Sequence, residues 1–300
     1  MATKKNTIDW RAVFERGFAE RNEREASQWH VEPSTDEYHG DELIYHWHAS
    51  ALGGCVRAAI LKRAGLAPDP NTVDSEMNFE FGHSIHAAAE EFLKSDTNIL
   101  SGVTEGEWSV YSVEAGGAHP TLPLKAKPDA VLWNGMALVV HDHKTEGGTS
   151  LRIRKANTKA SGASDGVSLG HKIQVTAGAM CTEARDGLAQ IKKGMVLYMS
   201  KREGINKWDF FTETFTITSA LREAVLAKLT ELEVAWNAYE LSGILPPRLP
   251  AEEQFYGGVG PNWRCRARSA DDPRGVYCAS RSICMALPPV PDENQLRTIK

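Results

Sequence analysis

The chain has 300 residues, 42% hydrophobic and 24% charged, a globular composition long enough for one sizeable core or two smaller ones. No uninterrupted apolar run approaches the roughly 20 residues of a membrane helix, and the start, MATKKNTIDW, lacks the apolar stretch of a secretory signal; a cytoplasmic protein without a membrane partner is expected. The formal net charge of -5 excludes a global attraction to phosphate, so any nucleic-acid contact has to come from local basic patches.

Residues 1–45 are polar, with a helix-like stretch over 9–26 and then a Pro/Ser/Thr/Asp loop, and read as a peripheral arm. The main body is expected over 46–244. Helical spacing of Val56, Ile60 and Leu61 predicts a helix within 50–66, and a second follows over 76–95. Alternating, β-rich sequence then occupies 107–113, 122–133 and 136–145. The last two runs flank Asn134-Gly135, the commonest signal for a two-residue hairpin turn. Residues 146–170 read as a Gly/Ser/Thr-rich loop, 171–187 as a helix, 195–200 and 208–218 as strands, and 219–241 as a long amphipathic helix. The tail over 245–300 is rich in Pro, Gly and Arg and holds three of the five cysteines. The class is mixed, α/β or α+β.

A two-residue turn at Asn134-Gly135 pairs Trp133 with Met136, sets Asp129 opposite Val140 and Lys127 opposite Asp142, and makes Asp129 and Asp142 diagonal neighbours. Alternation then gives one face to Lys127, Asp129, Val131, Leu138, Val140, Asp142 and Lys144, and the other to Ala130, Leu132, Val139, His141 and His143. Two carboxylates at that spacing can converge on one divalent cation, and hard oxygen ligands suit Mg2+ or Mn2+. Such an ion polarises a phosphodiester and activates water, while the Lys144 ammonium orients that water or meets the growing charge. The same pattern also fits a cross-strand ladder of ion pairs on a solvated face.

The cysteines are Cys55, Cys181, Cys265, Cys278 and Cys284. An odd number without an export signal disfavours a disulfide framework and leaves metal or cluster ligation open. Cys181 sits in an apolar helical stretch and fits a plain buried thiol.

Pro128-Asp129, twelve intervening residues and then Asp142-His143-Lys144 resemble the signature of the PD-(D/E)XK nucleases. Gly82-His83-Ser84-Ile85-His86 is similar to the Gly-x-x-x-His element of their RecB-like exonuclease branch, and Gln174 falls where that branch has Gln-x-x-x-Tyr, with Gly178 at the tyrosine position. The resemblance implies a restriction-endonuclease-like core, a mixed central sheet flanked by helices. It implies that Asp129 and Asp142 bind the metal, that His86 adds a ligand, and that Lys144 and Gln174 assist hydrolysis. On a helix Glu90 shares a face with His86 and is a candidate to orient it, whereas His83, His141, His143 and His171 fit plain surface or core positions. One cysteine before the core and three after it resemble the RecB-like nucleases with a 4Fe-4S cluster, among them AddB and CRISPR-associated exonucleases. The resemblance implies that Cys55, Cys265, Cys278 and Cys284 hold such a cluster and that the 245–300 segment closes it; structural Zn2+ is the alternative, since thiolates suit both.

Cations beside this motif set, Arg57, Arg152, Arg154, Lys155, Lys159 and Lys172, are candidates to follow a DNA backbone. Arg264, Arg266 and Arg268, with Trp263 and Tyr277 as stacking surfaces, extend them into the tail. The expected activity is a metal-dependent DNA exonuclease of recombination, repair or phage DNA processing, acting on backbone and ends with a protein partner from those processes. A non-catalytic iron-sulfur or zinc module that binds DNA within a larger complex, and a small-molecule metal hydrolase, are the competing readings.

Overall fold

A computed structural model describes residues 38–39, 42–43, 45–66, 73–95, 108–147, 151–152, 155–156, 167–201, 209–247, 252–255 and 258–261. The expected helix over 9–26 and the cysteines at 265, 278 and 284 lie outside the described residues. Two compact units divide the chain: one comprises Thr35–Val56 and Gly82–Val234, and the other draws on Arg57–Phe81 and the chain from Ala235.

The short strands β1 (Tyr38–His39) and β2 (Glu42–Leu43) pair with each other, and β3 (Trp47–His48) leads into helix α1 (Ala49–Leu52). The helix expected within 50–66 is interrupted, because α2 (Val56–Arg63) starts only after Gly53-Gly54. Gly53 is where the backbone comes close to Gly170: a Cβ on Gly53 would lie 2.9 Å from the Gly170 carbonyl oxygen. Helix α3 (Val73–Ser95) covers the expected 76–95.

The first unit is built on a five-stranded mixed sheet. Its strands are β4 (Ser109–Val113), β7 (Ala130–Trp133), β8 (Leu138–Gly147), β9 (Lys193–Lys201) and β10 (Asp209–Thr216), in the order β10-β9-β8-β7-β4. Only β8 and β9 run parallel, which requires a crossover, and helix α4 (Leu169–Asp186) lies within it. Ser168 caps α4 by accepting the His171 amide at 3.3 Å, and Gly187 ends it in the left-handed conformation at φ 64°. Sheet β3-β6-β5, with β5 (Gly117–Ala118) and β6 (Leu124–Ala126), packs against the same helix. Helix α5 (Ser219–Ser242) follows β10.

Strand alternation divides the core in two. Val131, Val140, Val196 and Tyr198 meet Val175 and Ala179 of α4 on one face. Ala130, Leu132, Val139 and Met195 meet Leu93 of α3 on the other. Each buried Val, Leu or Met among them contributes about 1.5–3 kcal/mol. This is the mixed sheet flanked by helices expected for the core.

The single strand expected over 122–133 is two, β6 and β7, broken at Lys127-Pro128-Asp129. Pro128 has no amide to donate to a ladder, and the chain changes sheets there. Asp129 therefore stands one residue before β7 and is released from its pleat. Among the described residues no helix is long and apolar enough to cross a membrane.

Candidate active site

The hairpin differs from the two-residue turn in its count. Trp133 pairs with Leu138, not Met136, and residues 134–137 form a four-residue connection closed by Asn134 N–H donating to the Ala137 carbonyl at 3.1 Å. The Asn134 side-chain oxygen accepts from the Met136 and Ala137 amides, and Gly135 takes φ 83°, so asparagine ties its own loop instead of occupying a tight turn. The register moves by two residues, an even number, so the side chains within the paired strands keep the faces expected for them, whereas Asp129, outside β7, does not share the face of Asp142 and Lys144 as expected. Ala130 now pairs with His141, which brings Asp129 level with Asp142 in place of the expected diagonal.

Off the pleat, Asp129 turns its carboxylate toward the α3 side. Its Oδ2 accepts the backbone amide of His143 and lies 3.8 Å from His143 Nδ1, while Oδ1 lies 3.7 Å from His86 Nδ1. The ligand atoms of His86, Asp129 and His143 all lie within 4.8 Å of one another. His86 reaches the site from α3 and is partly exposed; His143 is buried, its ring edge-on to His86 at 5.6 Å and to His141 at 4.5 Å. Burial would raise the Asp129 carboxyl, but the His86 imidazole and the His143 amide outweigh it and hold the group below its ordinary range. Burial likewise holds His143 below the usual histidine range, so its lone pair is available at neutral pH. Two imidazole nitrogens and a carboxylate form a donor set that accepts a divalent transition metal.

Asp142 and Lys144 keep to the α4 side. Asp142 Oδ2 is 2.6 Å from Lys144 Nζ, an ion contact without the geometry of a directed hydrogen bond, and Oδ1 takes a long 3.4 Å bond from the Gln174 amide of α4. Burial pushes the Asp142 carboxyl up to about 6 against the pull of Lys144. Behind it, a cavity of about 20 Å³ lined by Pro128, Val140, Asp142, Gln174 and Gly178 has room for about one water. Gly178 packs here: a Cβ on it would already lie 3.1 Å from Pro128 Cγ, so the tyrosine of the resembled motif has no room. Beside Lys144, Tyr198 of β9 is fully buried with its hydroxyl 2.9 Å from His171 Nδ1, a contact that strand and helix patterning alone did not indicate.

A solvated ladder of ion pairs is not what forms, because His141, Asp142 and His143 are buried and Lys127 pairs with Glu114. Glu90 does not orient His86. It bonds Lys94 at 3.1 Å and lies against Glu114, whose carboxyl is held above its usual range by burial and by the neighbouring Glu90. Arg57 is a further correction, since it is 1% exposed and donates to the Pro246 carbonyl at 2.7 Å, which removes it from any surface that follows DNA. Arg152 is exposed, Lys155 lies over the Phe211 ring and Lys172 over the Phe215 ring, each at 6.0 Å. Arg154 and Lys159 lie outside the described residues, as do residues 263–284 of the tail.

His143 is the member of the site that sequence reasoning missed. Alternation sets its side chain opposite Asp142 and Lys144, and only the break at Pro128 brings Asp129 round to it. Cys55 is half-buried and free, and Cys181 is buried as expected, with burial pushing its thiol up to about 12.

No family model matches the chain, and no curated protein does. Solved structures similar to it include SSO0001, at 12% identity over 73% of this chain and 86% of that one, with a TM-score of 0.37. An alkaline exonuclease (LHK-Exo) from Laribacter hongkongensis is similar at 15% identity over 67% of this chain and 94% of that one, with a TM-score of 0.38. LHK-Exo in complex with dAMP gives 17% identity over 66% and 96%, with a TM-score of 0.35.

Proposed function

We propose that the chain is a divalent-metal-dependent nuclease of the PD-(D/E)XK type that hydrolyses DNA phosphodiester bonds, with His86, Asp129 and Asp142 around the metal and Lys144 and Gln174 as its neighbours. The observation that carries this is the convergence of His86, Asp129 and His143 level with the buried Asp142 and its partner Lys144. Two imidazoles gathered on one carboxylate, beside a second carboxyl that burial pushes up to about 6, make the kind of perturbed cluster that catalytic sites concentrate. A divalent cation bound there supplies Lewis acidity toward a phosphate oxygen and activates water.

The chain's own residues do the rest. Lys144 presents an ammonium fixed by Asp142, placed to orient the attacking water or meet charge on the phosphate. Gln174 holds Asp142 from α4, and the apolar packing of Pro128 on Gly178 fixes the hairpin base that carries both acids. The exonuclease assignment rests on the order of the Gly82–His86, Asp129, Asp142-x-Lys144 and Gln174 elements, and backbone contacts fall to Arg152, Arg154, Lys155, Lys159 and Lys172. The proposal extends to a 4Fe-4S cluster on Cys55, Cys265, Cys278 and Cys284 and to work in recombination, repair or phage DNA processing beside a protein partner.

The test is incubation of linear DNA, labelled at each end in turn, with the protein and Mg2+ or Mn2+. Metal-dependent release of labelled nucleotides, abolished by Lys144→Ala and by Asp129→Asn, is expected. Intact DNA, or equal degradation by the Lys144→Ala protein, would sink the reading.

A further inference from the structure

The PD-(D/E)XK motif treats residue 143 as a spacer between acid and lysine, yet His143 is among the more constrained side chains of the site. Its side chain is 5% exposed, its ring is wedged edge-on between His86 and His141, and its backbone amide is anchored on Asp129 Oδ2. The two Nδ1 atoms approach different oxygens of Asp129, at 3.7 and 3.8 Å, beyond direct hydrogen-bond distance. Metal–ligand bonds of about 2.1 Å put neighbouring ligand atoms about 3 Å apart at right angles and about 4.2 Å apart across the ion. Separations of 3.7, 3.8 and at most 4.8 Å need only a small contraction to reach that range. His86 is 34% exposed, so solvent reaches this edge of the cluster.

We propose that the His143 imidazole is itself a metal ligand, and that two imidazoles beside the carboxylates make this centre selective for a transition-metal dication such as Mn2+ over Mg2+. The proposal rests on the nuclease reading and sharpens it by naming the metal class. Mg2+ gains little from nitrogen ligands and keeps an oxygen and water shell, whereas imidazole suits the first-row transition metals. The pre-organised ring adds to the preference, because His143 is already held by the core and loses no freedom on binding.

Metal-free full-length protein is titrated with Mn2+, followed by electron paramagnetic resonance, and separately with Mg2+, followed by calorimetry. The Mn2+ form, carrying 15N-labelled histidine, is then examined by electron–nuclear double resonance. Mn2+ is expected to bind at least about tenfold tighter than Mg2+, with two directly coordinated histidine nitrogens. His143→Asn, which keeps a polar group in the buried position, should remove one nitrogen coupling and lower Mn2+ affinity by at least about tenfold, the scale on which even indirect partners of a metal act. Mg2+ affinity should change much less. A single coordinated nitrogen in the wild-type protein, a measurement that requires no variant, overturns the proposal, as do equal losses of Mn2+ and Mg2+ affinity in His143→Asn. DNA hydrolysis is scored separately: cleavage with a single coordinated nitrogen leaves the nuclease reading standing without this proposal. Two nitrogens without cleavage in any metal retain the ligand assignment and remove the nuclease.

Discussion

Replacing Asp142 with Asn should make the metal-free protein more stable at pH 8, although it removes a residue proposed to bind the metal. The carboxyl stands at about 6 in the fold against an ordinary 3.8, so the folded state holds the proton more tightly than the unfolded chain does. Its contribution to stability is full below pH 3.8 and is lost as pH rises through 6. A displacement of about two pH units corresponds to about 3 kcal/mol of destabilisation by the ionised form above pH 6. Asn has no charge to bury and keeps an oxygen for the Gln174 amide. The Lys144 ammonium, 2.6 Å away, loses its partner, but its side chain is 22% exposed and recovers water, which lowers the expected gain to about 1–3 kcal/mol. Urea unfolding in chelator at half-unit steps from pH 4 to pH 8 measures this directly. The Asn protein should gain on the wild type mainly between pH 4 and pH 6.5 and hold its advantage above. Parallel curves across that range, or a less stable Asn protein at pH 8, would refute the account of Asp142 as a destabilising buried charge.

His141 shows the opposite sign. Burial pushes its imidazole down to about 3, so its contribution is complete above the ordinary 6.5 and is lost as pH falls toward 3, which costs the wild type about 2 kcal/mol at pH 5. Its Nδ1 has no hydrogen-bond partner among the described residues, so His141→Phe should leave stability at pH 8 within about 1 kcal/mol and flatten the acid limb; unchanged acid sensitivity counts against it. Gly194→Ala places a Cβ 2.5 Å from Phe215 Cζ and 2.9 Å from Val175 Cγ1, and should cost about 1–3 kcal/mol in urea unfolding, partly restored by Phe215→Leu. At Gly178, Ala should be tolerated within about 1 kcal/mol, since helix propensity offsets the 3.1 Å contact with Pro128; Tyr, the residue of the resembled motif, should lower the unfolding midpoint sharply. Anaerobically purified protein should be brown and contain iron and sulfide, and Cys55→Ala should bleach it; a colourless, zinc-loaded protein would replace the cluster with zinc.

The helices and strands that carry the site were legible because burial imposes periodicity. Val131 and Val140 on one face of the sheet, and Ala130, Leu132 and Val139 on the other, alternate as the sequence does. Faces survived even where the hairpin count did not, because the Asn134 loop shifts the register by an even number of residues. The direction of one carboxylate was not legible. Alternation assumes a continuous strand, and Asp129 lies where Pro128 ends one strand before the next begins, so its oxygens follow the His143 amide and not the pleat.

Sequence by itself determined the segments: where the strands and helices lie along the chain, and that Asp142 and Lys144 share a face, since local spacing dictates each. Only the tertiary structure decided which groups meet. It buried Arg57, gave Glu90 to Glu114 and Lys94 instead of His86, closed the space a tyrosine at 178 would need, and brought His143 to Asp129. These outcomes depend on distances between residues far apart in the chain and on the low dielectric around them, and neither is written in the spacing of neighbours.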